Sequence, residues 1–285
     1  MGAFDWILDR SIFFSFDRSG YRRHARRFDA RDLDRSMHEK VCVVTGANSG
    51  IGFEVARGLA ARGATVHMLC RNAERGAKAQ ETFAGQADNT DVHVHVVDVS
   101  SLGSVRGFAE AFAAPRVDVL VHNAGLLPLE REMTADGLEL TVATHLVGPF
   151  LLTKLLRPKL HGARVIFVAS GGMYGKRLDV ELMMSNDGDY DGVAAYAMTK
   201  RGQVVLSELL AKDLTDIGAT VNAMHPAGRP PRGSSIRCPA SGRSCAIGCG
   251  RLKRAQTQRS GWPLPSESKD RRASYGSIAS QCPHT

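Results

Sequence analysis

Tyr196 and Lys200 stand four residues apart, a spacing that on a helix puts both side chains on one face. A phenol in water titrates at about pH 10 and exchanges protons poorly at neutrality. A neighbouring ammonium favours the phenolate, so this pair could trade a proton with a hydroxyl or a carbonyl. Ser170 closes an apolar, β-rich run and could hydrogen-bond the oxygen of such a substrate. A Tyr-x-x-x-Lys pair by itself arises by chance in many helices; its weight here comes from what precedes it.

Upstream, Thr45-Gly46-Ala47-Asn48-Ser49-Gly50-Ile51-Gly52 follows a β-rich run and opens a helical stretch. Gly46 permits a tight turn, Gly50 lets backbone approach a pyrophosphate, and Gly52 lets the helix pack closely on a sheet. The free N–H groups at Asn48, Ser49, Gly50 and Ile51 would face the anion. A glycine pattern alone is weak evidence, but between a strand and a helix at the head of an alternating series it points to a dinucleotide. At the end of the second β-rich run, where an acid would select NAD, stand Cys70 and Arg71. Arginine's planar fork suits a 2′-phosphate, so the expected cofactor is NADP(H) rather than NAD(H). Asp98 and Val99 follow the third run; Asp98 either accepts from an adenine amine or caps the helix that begins near Ser101. Asn123-Ala124-Gly125 ends the fourth, with small residues where a ribose would cross.

These groups need a frame that brings strand ends together. The candidate strands are 41–45, 65–70, 92–97, 117–122, 164–169 and 220–224, with helical spacing between them, as in 51–62 and 105–113. Strands that are apolar throughout and alternate with helices predict a parallel sheet covered on both faces, a doubly wound, Rossmann-like α/β domain over 40–226.

The flanks differ in kind. Residues 227–285 hold eleven Lys+Arg and two Asp+Glu, which leaves the preceding 226 residues close to neutral, so the net charge of +8 belongs to the tail and not to the domain. Rich in Gly, Pro and Ser and without an apolar period, that tail reads as disordered. Its arginines could touch phosphates non-specifically, yet no nucleic-acid motif accompanies them, and no specific nucleic-acid partner is expected. The intervals between Cys238, Cys245 and Cys249 do not suit a zinc site, and no metal is expected. Residues 1–39 mix Phe13, Phe14, Phe16 and Tyr21 with Arg18, Arg22, Arg23, Arg26 and Arg27. They read either as a helix packed on the domain or as a basic amphipathic helix, with peripheral membrane contact through 1–30. No run is long and apolar enough to span a membrane and no secretory leader is legible, so the expected location is cytoplasmic or peripherally membrane-associated.

In their order, the 45–52 turn, Asn123-Ala124-Gly125, Ser170 and Tyr196-x-x-x-Lys200 resemble the short-chain dehydrogenase/reductase family over residues 40–226. Cys70-Arg71-Asn72, residues 168–173 and Ser19-Gly20-Tyr21 are similar to its member 12 branch. The resemblance implies hydride transfer between NADP(H) and a small, lipophilic carbonyl or alcohol. It implies that Tyr196 is the acid/base, that Lys200 tunes it and holds the ribose, and that Ser170 holds the substrate oxygen. It implies a homodimer or homotetramer, and a substrate wall built from the long interval between Ser170 and Tyr196. Two departures stand out. Where the family carries an asparagine that holds a relay water, alignment on Gly148 gives His145, which either relays protons itself or displaces the water. After His225-Pro226 the family pattern stops, as a shift of reading frame near Ala227 would make it stop. The alternative expectation is therefore a cofactor-binding chain with impaired catalysis, because 227–285 supplies neither a seventh strand nor a substrate lid.

Overall fold

The computed structural model describes residues 34–84, 91–185 and 188–226, a few residues between 25 and 31, and the pairs 236–237 and 244–245. Six short segments form its main sheet: β1 (Val41–Thr45), β2 (Thr65–Cys70), β3 (Val92–Val96), β4 (Val119–His122), β5 (Arg164–Val168) and β6 (Thr220–Met224). Every pairing is parallel, in the order β3-β2-β1-β4-β5-β6. The order reverses between β1 and β4, which opens a crevice at the carboxyl ends of those two strands, where such sheets take their ligands. This is the Rossmann-like arrangement that the alternation predicts. β4 begins later than expected because the Val117 N–H is drawn to the Lys159 carbonyl, 2.8 Å away.

Helices cover both faces. On one side α1 (Gly50–Ala60) and α2 (Ala73–Ala84) set Ala56, Leu59, Ala79 and Phe83 against Val44, Val66 and Met68. On the other, α3 (Leu102–Ala111) contributes Phe108. α4 comes in two pieces, Leu140–Val142 and Gly148–Leu156, joined by a π-helical turn over Ala143–Val147. After the short α5 (Val180–Met184), the long α6 (Gly192–Asp213) adds Leu210 to the same core. Leu120, Leu152, Leu156 and Phe167 have no exposed surface, and each such side chain contributes roughly 1.5–3 kcal/mol by leaving water.

Among the described residues the parallel sheet ends with β6; Ile236–Arg237 and Ser244–Cys245 make a separate antiparallel pair. Arg254–Thr285 lie wholly outside the described residues, as does most of the rest of the basic tail and of the segment 1–30. No described helix is long and apolar enough to cross a membrane.

Candidate active site

The glycine turn leaves β1 with Gly46 at φ 64° and enters α1 with Gly50 at φ 59°, backbone that side chains rarely adopt. Thr45 and Asn123 brace it. The Thr45 hydroxyl oxygen accepts from the N–H groups of Asn123 and Ala124, each at 3.0 Å, and Asn123 Nδ2 donates to the carbonyls of Thr45 and Gly46 at 3.0 and 3.1 Å. A Cβ on Gly52 would run into the Gly46 carbonyl and the Asn123 amide, so the helix start sits as close to the turn as glycine allows. Ser49, at the N-cap of α1, makes no side-chain cap, and the first turn carries no acid. That leaves N–H donors and the helix dipole for an anion. The cradle thus fits the pyrophosphate of a dinucleotide.

At the end of β2, Cys70 is buried against the turn, where the amides of Ala47 and Asn48 point at its sulfur; burial pushes its thiol up to about 11. Arg71 is exposed beside it. Asp98 Oδ1 accepts from the Ser100 N–H and hydroxyl at 2.9 and 2.6 Å, and Ser101, not Asp98, caps α3. Val99 is buried, its carbonyl lying where a Cβ on Gly148 would stand.

The reactive side chains meet at the same edge. Asp191 caps α6 by accepting from Val193 and Ala194, and the helix carries Tyr196 and Lys200 one turn apart. Lys200 Nζ lies 5.8 Å from the centre of the Tyr196 ring and donates to the Val168 carbonyl at 2.9 Å, at the end of β5 and two residues before Ser170. Burial pushes the Lys200 ammonium down to about 7. Ser170 Oγ accepts from the Gly172 N–H at 3.1 Å, which keeps its own proton available to a substrate oxygen. A Cβ on Gly172 would stand 3.4 Å from Ser170 Oγ and 3.5 Å from Tyr196 Cε1, so the two groups border one small space. A Cβ on Gly125 would lie 3.4 Å from Lys200 Nζ, which joins the Asn123-Ala124-Gly125 segment to the same place.

His145 is fully buried in the π turn, its ring edge-on to Tyr196 with centroids 5.5 Å apart. Nε2 accepts from the Leu126 N–H at 3.1 Å, so the proton sits on Nδ1 and is shared with Thr199 Oγ1 at 2.8 Å. Burial, with Lys200 nearby, holds the ring neutral, its pKa well below the usual histidine range. Both ring nitrogens are therefore bound within the protein. Gln203 and Thr199 escaped the sequence reading, although each lies within one turn of Tyr196 or Lys200 on α6.

The family model described as short chain dehydrogenase matches residues 40–229. The chain belongs to that family. Its Rossmann-like sheet is thus that of an oxidoreductase family that uses nicotinamide cofactors. The chain is 39% identical over 201 residues to dehydrogenase/reductase SDR family member 12 of Bos taurus, covering 69% of this chain and 63% of that protein. To retinol dehydrogenase 12 of Bos taurus it is 37% identical over 198 residues, covering 68% and 62%. It spans less than two thirds of both. Among solved structures, the Pseudomonas aeruginosa RhlG/NADP active-site complex superposes with a TM-score of 0.55 at 28% identity, over 69% of this chain and 75% of the other.

Proposed function

We propose that this short-chain dehydrogenase transfers a hydride between NADP(H) and a small, lipophilic carbonyl or alcohol. The observation that carries the reading is the convergence of Ser170, Tyr196 and Lys200 on one space beside a turn fitted to a pyrophosphate. Gly46, Asn48, Ser49, Gly50, Ile51 and Gly52 would hold the phosphates, with Asn123, Ala124 and Gly125 along the ribose. Asp98 and Val99 would lie at the adenine. A bound nicotinamide would supply the hydride for reduction of a carbonyl and accept it in oxidation of an alcohol. Ser170 donates to the substrate oxygen, Tyr196 gives or takes its proton, and Lys200 orients the ribose and favours the phenolate. NADP is preferred because Cys70 brings no charge to the end of β2 and Arg71 brings a positive one. A lipophilic substrate suits the apolar side chains that stay exposed on the segment after Ser170, Tyr174, Val180 and Leu182 among them.

NADPH fluorescence on the whole chain measures binding, and NADPH consumption with a panel of carbonyl compounds measures chemistry. Tyr196→Phe is expected to leave binding within about twofold and to cut turnover by about 10²–10⁴-fold, the usual contribution of general acid–base catalysis. Binding without turnover, indifferent to Tyr196→Phe, would instead establish the second reading, a cofactor-binding chain with impaired catalysis. His145 favours that reading, since its committed ring nitrogens leave it no part in moving protons.

A further inference from the structure

The Lys200 ammonium has three N–H donors. One goes to Val168, and a second goes to Gln203 Oε1 at 3.0 Å. The Gln203 side chain is itself fully buried, and its Nε2 donates to the His145 carbonyl at 2.9 Å. That carbonyl lies in the π turn, where the Gly148 N–H reaches back to the Ala143 carbonyl. In a regular helix its donor would be residue 149, which is a proline with no N–H. Gln203 supplies a donor in its place. The amide's orientation follows from its neighbours, because reversing it would set an NH₂ against the ammonium and an oxygen against a carbonyl. Gly202 makes the approach possible: a Cβ there would stand only 3.1 Å from the Leu146 methyls.

We propose that Gln203 is a positioning residue for the Tyr196–Lys200 pair, its carboxamide clamped between the Lys200 ammonium and the His145 carbonyl so that the charged lysine is favoured and aimed at the tyrosine. The proposal rests on the functional reading above in assigning Lys200 to the service of Tyr196. The titratable side chains beside the ammonium are Tyr196 and the neutral His145, and neither is a carboxylate. With burial working against the charge, the two acceptors are what favour it. One donor remains for the cleft.

Two substitutions of opposite sign test this. Gln203→Met removes the acceptor and keeps the shape; Gln203→Glu replaces it with a carboxylate. The Lys200 titration is read on the full-length chain without cofactor by carbon-13 lysine NMR, with Lys200→Arg assigning the signal. The expected midpoint falls by about one pH unit in Gln203→Met and rises by about as much in Gln203→Glu. Loosened packing alone would not move the two in opposite directions. Midpoints that stay at the wild-type value, or shift the same way in both, overturn the proposal. If Gln203→Met does not fold, Gln203→Glu decides alone: a raised midpoint supports the clamp and an unmoved one refutes it. Opposite shifts in a wild-type background that neither binds nor consumes NADPH would sustain the clamp while the proposed oxidoreductase function fails.

Discussion

Arg71 is the residue on which cofactor choice is proposed to turn. It is exposed at the end of β2, next to the buried, uncharged Cys70. Arg71→Ala is expected to weaken NADPH by about tenfold, the size of one lost charge-assisted hydrogen bond, and to leave NADH unchanged. Paired fluorescence titrations with the two cofactors check this; equal losses for both would remove the 2′-phosphate from the argument. Tyr196, Lys200, Ser170 and the glycines were legible in the sequence because their chemistry is carried by residue type and short spacing. Gln203, Thr199 and the bracing hydroxyl of Thr45 were not, since each matters through a partner on another element. Asp98 was legible only as a choice between two roles, and the structure gives the capping role to Ser101.

Among the elements, β2 and β3 hold an unusual trio. In their register His67 lies opposite His93, with His95 hydrogen-bonded to His67 at 2.9 Å and both rings of that pair against Phe112. Burial and mutual repulsion push His67 from 6.5 down to about 4 and lower His95 as well. The folded chain therefore keeps these rings neutral at a pH where the unfolded chain protonates them. Stability from this source is complete above about pH 6.5 and is lost as the pH falls toward 4. Melting temperatures followed by circular dichroism should drop across that window, and His67→Leu should flatten the slope. A slope identical to wild type would exclude the cluster as its source. Most of the strands were plain in the sequence as short β-rich runs, although β3 alternates valine with histidine. The π turn of 143–147 was not, because a single wide turn leaves no period in five residues and depends on what packs against it.

At the scale of the whole molecule, charge and shape divide differently. The body is nearly neutral, so association there would rest on apolar surface rather than on steering by charge. Val205 and Leu209 are 40% and 50% exposed one turn apart on α6, and Phe150 on α4 is 39% exposed. Such side chains fit a homodimer or homotetramer, which the family resemblance implies. Sedimentation of the wild type should show more than a monomer, and Val205→Glu with Leu209→Glu should shift it to one; a monomeric wild type would end the proposal. The expected break after Pro226 rests on a loss of pattern in the sequence alone, since residues 227–235 lie outside the described residues.

The empty position at Gly172 carries a practical consequence. An alanine there would meet its surroundings at ordinary contact distances, 3.4 Å or more, so the protein should tolerate it. The methyl would nevertheless stand against Ser170 Oγ and the edge of the Tyr196 ring, in the space that the proposed reaction needs for its substrate. One added carbon could thus silence the chemistry while leaving every ionisable group and the dinucleotide cradle intact. Gly172→Ala should bind NADPH like the wild type, melt within a degree or two of it, and consume none. It would serve as a dead control for cell experiments, altered by a plug rather than by a missing proton donor.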